Sequence, residues 1–429
     1  MLLNTWGMLG PEHLSSSRRT RTLGLGAAVR QFNELAVPGL GGVWFGKQVL
    51  LAMLGLRVAE EAREKSAKAS NIEVANAIEA LACLFAFRDN GWSRDGRLRG
   101  NTKLHRKDHD LRFYKLRQRD FYVTQPMRMA TVQALPSLGF AEADGTRFNA
   151  FHSTGSGREF VELACEEFRP FGAAVLPRLV KWATGGDQVE SRPMINALSP
   201  LQPLAAKASE MLLQGLRHGR LESEGTRKRR AHALAWMERL NNEVVTASDW
   251  AKKPSEITDE HWRDLGAGAR LFNVRDTAMS VLNELEASIG RVTTPVFRLN
   301  SKLPHAVESG LATLRTQAKA YLALGHNQPD ARIFCKACEC EGTQVLGFLT
   351  ERDGRVLRRI GDEIRPGMAY TGRTSTVAEP QDDDAQPDIA QLPLPPGISR
   401  RISNLYLLNL DVHGKLDTWM QRQQGAAQA

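Results

Sequence analysis

"GFAEADGTRFNAFHSTGSGREF", residues 139–160, is the stretch on which the reading of this chain turns. Two short extended runs flank Asp144–Gly145, a dipeptide that favours the tight turn of a β-hairpin. Thr154 then caps a helix carrying Phe160, Leu163, Ala164 and Phe168. Upstream, "TQPMRMATVQALPSLGF" (124–140) predicts another helix. Thr124 is its cap, Pro126 suits its first turn, and Met127, Ala130, Ala134 and Leu138 share one face. Gln125, Arg128 and Gln133 fall broadly opposite, together with Met129 and Val132.

Charge gathers just before this segment. Between Arg94 and Arg119 there are ten Lys and Arg residues and three Asp, a net +7 in a chain whose formal charge is +9. Trp92, Phe113, Tyr114, Phe121 and Tyr122 lie in this run or beside it. A second cluster, Arg227, Lys228, Arg229 and Arg230, opens a helix at Thr226, where the helix dipole disfavours cations unless a phosphate lies nearby. A solvated basic face is the simpler alternative.

The order helix, "LGF", DG hairpin with Arg147 and Phe148, then "TxxG" (Thr154 to Gly157) into a helix resembles the recognition helix and wing of winged helix-turn-helix DNA-binding domains. The resemblance covers about residues 110–168. It implies that the helix from about 125 to 137 enters the major groove, with Gln125 and Arg128 reaching base edges. The wing, Asp144 to Arg147, then lies along the backbone or minor groove, and Arg147 and Lys115 meet phosphate. Arg112, Arg117, Arg119 and the 227–230 cluster are the further expected backbone contacts. Winged helices also serve as plain protein–protein modules, so a scaffold that touches no nucleic acid is the rival reading.

Working outward, residues 1–90 read as a helical unit, with Ser70 and Glu73 as a capping box. Residues 91–170 form the basic winged-helix-like module and 171–330 a helical domain. Residues 331–375 are a small Cys-containing module, with a hairpin expected at Asp353–Gly354 in "TERDGRV". Residues 376–398 are acidic and Pro-rich, the composition of a flexible linker, and 399–429 an amphipathic segment suited to docking on partner proteins. The expected fold is therefore mainly α and multi-domain, with a winged-helix-like α+β module and a small β-containing segment near the C-terminus.

Other motifs bear on chemistry. "GGVWFGKQ" has the G-x-x-x-x-G-K spacing of a phosphate-binding loop at Gly41, Gly46 and Lys47. Trp44 and Phe45 crowd it, however, and Gln48 replaces the Ser/Thr that would hold Mg²⁺, so a glycine-rich turn between helices is the better reading. "CKACEC" places Cys335, Cys338 and Cys340 close enough to share zinc, with His326 as a fourth ligand. A cysteine-rich turn without metal is the alternative. Arg227 and His232 share an R-x₄-H spacing with HEPN ribonucleases, too short a pattern to be specific. No catalytic triad, HExxH motif or close carboxylate pair stands out, so no enzyme is expected; a nuclease or nucleotide-dependent enzyme through Lys47 or His232 is the remote rival.

With 429 residues, 42% hydrophobic and 24% charged, the chain reads as a soluble protein of several domains. The longest apolar run, between Lys47 and Arg57, is too short to span a bilayer, and the clustered, odd-numbered cysteines do not suggest a secreted disulfide framework. A cytoplasmic location and no membrane partner follow as expectations. The expected function is that of a non-catalytic, DNA-binding subunit of a larger bacterial assembly, its ligand double-stranded DNA and its other partners proteins. Basic helical chains of this kind are common in accessory operons, including those for defence against phage.

Overall fold

The computed structural model describes residues 21, 23–105, 108–186, 188–220, 223–242, 249–372 and 392–428. The readings made for residues 1–20, for Arg106 and Lys107, and for 376–391 of the acidic stretch lie outside them.

The chain is mainly α-helical, with two small antiparallel sheets among the described residues. It divides into two compact units. Unit 1 comprises Met1–Phe32 with Ala267–Glu379, and unit 2 comprises Asn33–Gly266 with Pro380–Ala429. The boundaries expected at 90 and 170 fall inside unit 2, and that at 330 inside unit 1.

In chain order the first helices are α1 (Gly26–Ala36), α2 (Gly46–Glu64), α3 (Asn71–Asp89), α4 (Asn101–Leu104) and α5 (Phe113–Leu116). Next come α6 (Arg128–Thr131), α7 (Ala134–Leu138), the strands β1 (Ala141–Ala143) and β2 (Phe151–Ser153), and α8 (Gly155–Cys165). Then follow α9 (Val175–Ala183), α10 (Arg192–Leu198), α11 (Ala206–His218), α12 (Glu224–Asn242) and α13 (Asp259–Ile289). The chain continues with β3 (Phe297–Arg298), α14 (His305–Leu322), α15 (Pro329–Cys338), α16 (Gly342–Asp353), β4 (Leu357–Ile360) and β5 (Glu363–Pro366). It closes with α17 (Arg400–Val412) and α18 (Leu416–Gln428).

Unit 2 is organised around α2 and α3. The run from Val49 to Leu56 that is apolar on every side is buried on every side, the environment such a helix requires. Against α2 pack α3, α6, α8, α9 and β2. The capping box reads as expected: Ser70 Oγ accepts from Glu73 N at 3.3 Å, and Glu73 Oε2 accepts from Ser70 N at 3.0 Å. The segment 399–429 is not a free docking helix. Within α17 every residue from Arg401 to Leu410 is buried, because α17 packs on α12, α11 and α2.

The two strands of the hairpin at 139–160 form, with Ala141 opposite Ser153 and Ala143 opposite Phe151. Asp144–Gly145 does not make the expected tight turn: residues 144–150 connect the strands, with a 3-10 turn at Phe148–Ala150 closed by Asp144 N on the Ala150 carbonyl. Thr154 caps α8 by accepting from Gly157 N at 3.0 Å. Gly157 is glycine for a packing reason, since a Cβ there would lie 2.0 Å from the Phe140 carbonyl oxygen. The single helix expected over 125–137 is instead the two short pieces α6 and α7, with a turn at Val132 and Gln133. Pro136 accounts for the break, since it has no N–H for the Val132 carbonyl and its ring crowds that carbonyl.

In unit 1, α14, α15 and α16 pack together and β4 packs on α16. The three-stranded sheet has the order β3–β5–β4. Arg21 is buried in this unit, with Nε on Asp353 at 3.0 Å, Nη2 on Glu286 at 2.9 Å and Nη1 on Asn283. The expected hairpin tip at Asp353–Gly354 is a helix end. Gly354, at φ +56°, closes α16, while the Asp353 carboxylate accepts from Val356 N and Leu357 N. The turn falls one step later at Gly361–Asp362, between the paired residues Ile360 and Glu363.

Candidate nucleic-acid interface

Among the described residues of the basic run there are two short helices, α4 and α5, and α5 sets the geometry. Phe113 and Leu116, three residues apart, are buried, which turns Tyr114 and Lys115 outward. Phe113 meets Trp182 edge-on at 5.2 Å, and Trp182 Nε1 donates to the Leu111 carbonyl at 2.8 Å. The C-terminal end of α9 is thereby fixed against α5, and the loop after α2 closes the third side. A groove of about 410 Å³ results, lined by Lys68, Arg112, Tyr114, Arg117, the small side chains of Ala67, Ala69 and Ala183, and the turn Thr184–Gly186.

Tyr114 is 48% exposed. The Arg112 guanidinium and the Lys115 ammonium stand 4.9 and 5.4 Å from its ring centre. Asp110 orders this face, gripping Arg112 through Nε at 2.9 Å and Nη2 at 2.6 Å and accepting from Tyr114 Oη at 3.2 Å. The Arg112 hydrogen bonds hold the Asp110 carboxyl well below the usual carboxylate range. Arg117 pairs with Glu73 at 2.9 Å and donates to the Lys68 carbonyl at 3.3 Å. Lys68, Lys115 and Arg119 make no ion pair with a described residue; Lys68 lines the groove and leaves it net positive, Lys115 stands beside the Tyr114 ring, and Arg119 is exposed past the end of α5.

The hairpin adjoins the same surface through the first turn of α3. Asn71 Nδ2 donates to the Phe148 and Phe151 carbonyls at 3.1 and 3.0 Å, and Ile72 N donates to Asn149 Oδ1 at 2.9 Å. One residue further on, Glu73 holds Arg117. Arg147 is exposed in the hairpin loop and makes no ion pair with a described residue.

Other expected contacts turn inward. Arg128 is half-buried: its Nε donates to Asn76 Oδ1 at 2.7 Å, and its backbone N–H and that of Met127 donate to Glu79. Burial pushes the Glu79 carboxyl up to about 7 against the pull of Arg128 and Arg99. Gln125 is half-buried, and its carbonyl accepts from Arg99. In the 227–230 cluster Arg230 is 0% exposed, donating to the Leu216, Gly215 and Ser137 carbonyls and to Ser137 Oγ. Burial lowers it to about 10. Arg229 pairs with Asp264 at 2.7 Å and Lys228 with Glu224 at 2.6 Å, and Arg227 is exposed. The cations in the first turns of α12 are thus explained mostly by carbonyls and carboxylates of unit 2. No phosphate is needed to explain them.

Cys335 and Cys338 lie on the buried face of α15, where burial pushes the Cys335 thiol up to about 12, and Cys340 is exposed beyond it. The His326 ring packs at a tilt against Phe32, 4.9 Å between ring centres, and accepts from Gln328 N. Among the described residues no group of three His, Cys, Asp or Glu is placed to hold a metal ion. Gly46 and Lys47 open α2 directly after a turn between helices, as expected. Lys47 points into the core, donating to the Ala197 carbonyl at 2.8 Å, and burial lowers its pKa to about 8. No helix among the described residues is long and apolar enough to cross a membrane.

Sequence reasoning missed Lys68 and the turn at 184–186, which come to Arg112 from about 45 and 70 residues away with no local pattern to announce them. No family model matches the chain, and neither a curated protein nor a solved structure does.

Proposed function

We propose that this protein is a non-catalytic DNA-binding subunit of a larger assembly. Its contact surface runs from the groove at Tyr114, past the first turn of α3, to the hairpin loop. The observation that carries the reading is a group of surface cations in one unit, Lys68, Lys115, Arg119 and Arg147, beside an exposed aromatic ring. None of the four has a carboxylate partner among the described residues. Binding is mainly to phosphate and so falls steeply with salt. In this reading the hairpin keeps the role that the winged-helix likeness implies, whereas Arg128 and Arg230 support the fold and touch no DNA. The five free thiols fit a reducing, cytoplasmic setting.

The test is anisotropy of a labelled mixed-sequence duplex at several salt concentrations. Lys115→Ala, Arg119→Ala and Arg147→Ala each lower affinity and flatten the log–log salt slope by about 0.9 for every phosphate no longer neutralised. Absence of binding at low salt sinks the proposal. A second reading, a protein-interaction scaffold, is favoured by the exposed Ile360 and Met368 of unit 1, the latter 90% exposed.

A further inference from the structure

Phosphate recognition needs cations but no exposed aromatic ring, and the groove in unit 2 has both. The Tyr114 ring is held in place by its hydroxyl on Asp110 and stands with Arg112 on one side of the groove. The rest of the lining includes Ala67, Ala69, Ala183, Gly185 and Gly186, residues too small to fill the space. At about 410 Å³ the groove lies in the range of small-ligand sites. An aromatic ring and a guanidinium both offer planes on which a base can stack, and neither discriminates strongly between bases. Lys68 and Lys115 stand at the groove to meet the flanking phosphates. A base paired within a duplex shows only its edges, so its face is out of reach of such a slot.

We infer that the Tyr114 groove takes an unpaired nucleobase, so that the protein engages single-stranded DNA at this point in addition to any duplex contact. This rests on the nucleic-acid reading above and narrows it. The stacking contribution is carried by the Tyr114 ring and not by its hydroxyl, whereas the charge contribution is carried by the lysines. The two are therefore separable by substitution.

The experiment is anisotropy of a short labelled oligo-dT strand and of a mixed-sequence duplex, using the full chain, with Tyr114→Ala, Tyr114→Phe and Lys68→Glu variants. Tyr114→Ala is expected to weaken single-strand binding roughly tenfold, change duplex binding little and leave the salt slope as it was. Tyr114→Phe, which keeps the ring and loses only the hydroxyl bond to Asp110, is expected to bind oligo-dT much more tightly than Tyr114→Ala, with the parent's salt slope. Lys68→Glu, an exposed change in the groove lining, is expected to weaken single-strand binding and flatten its slope. Duplex binding that persists while Tyr114→Ala leaves oligo-dT binding unchanged, or weakens both ligands alike, overturns the base slot but not the DNA reading. No binding of either ligand by the parent protein overturns both.

Discussion

Asp411 Oδ2 accepts the backbone N–H of Gly46 at 2.7 Å, although 365 residues separate the two. The carboxylate near the end of the chain satisfies an orphan amide at the start of α2, and Gln48 Oε1 takes the N–H of Trp44 at 2.9 Å. Burial pushes the Asp411 carboxyl up to about 6, opposed first by that same amide. Of the amides that a phosphate-binding loop would offer to a nucleotide, that of Gly46 therefore fastens α17 to α2, while those of Trp44 and Gly42 are taken by Gln48 and the Ala130 carbonyl. Asp411→Ala is expected to cost about 1–2 kcal/mol of unit 2 stability, read by urea unfolding. An unchanged midpoint would show the cap to be idle. Seven of the eight tryptophans lie in unit 2, so their fluorescence reports this unit.

Arg230 separates structure from binding. Replacing it with Met leaves the carbonyls of Ser137, Gly215 and Leu216 without their buried donor. The expected loss is about 3 kcal/mol of stability. The protein that remains folded is expected to bind duplex DNA with the parent's affinity and salt slope. A flatter slope would place Arg230 at phosphate after all.

Gly157→Ala tests the packing of the hairpin. The new Cβ would meet the Phe140 carbonyl oxygen at 2.0 Å and Met53 Cε at 2.6 Å. The backbone oxygen cannot yield as a flexible side chain could, so a loss of about 3 kcal/mol is expected. Calorimetry showing less than about 1 kcal/mol would mean that the hairpin shifts freely.

His261 gives unit 2 a pH dependence. Its ring is buried, with Nε2 on the Ala36 carbonyl at 2.9 Å, and burial together with the nearby Arg229 lowers its pKa from 6.5 to about 4. Above pH 6.5 the ring is neutral whether the protein is folded or unfolded, and nothing is lost. As the pH falls from 6.5 towards 4, only the unfolded chain takes up the proton, and stability drops by up to about 3 kcal/mol. His261→Gln is expected to flatten this part of the curve. Parallel curves for parent and variant would assign the acid sensitivity to other groups.

Much of the fold is legible locally. The Ser70–Glu73 box, the Thr154 cap and the apolar run in α2 depend on neighbours in sequence, and each appears where the pattern places it. Legibility fails where distant residues decide. Nothing in "TRKRRAH" says that Arg230 faces the carbonyl end of α11 while Arg227 faces water. Gly354 signals a reversal of the chain, and a glycine with positive φ serves a helix end as readily as a hairpin. The single recognition helix fails for a local reason: Pro136 stands in plain view, and its ring outweighs the apolar spacing around it. The groove at Tyr114 is half legible, since the cations of the run are evident and the wall they face is not.

The burial of α17 also bears on how the protein is made. Its principal partner, α12, leaves the ribosome roughly 160 residues earlier, and at the usual pace of synthesis that interval lasts on the order of 10–30 s. Throughout it the face of α12 that α17 covers is bare, and much of unit 1 is being synthesised meanwhile. The nascent chain thus carries a sticky stripe for tens of seconds, and a holding chaperone has that long to occupy it.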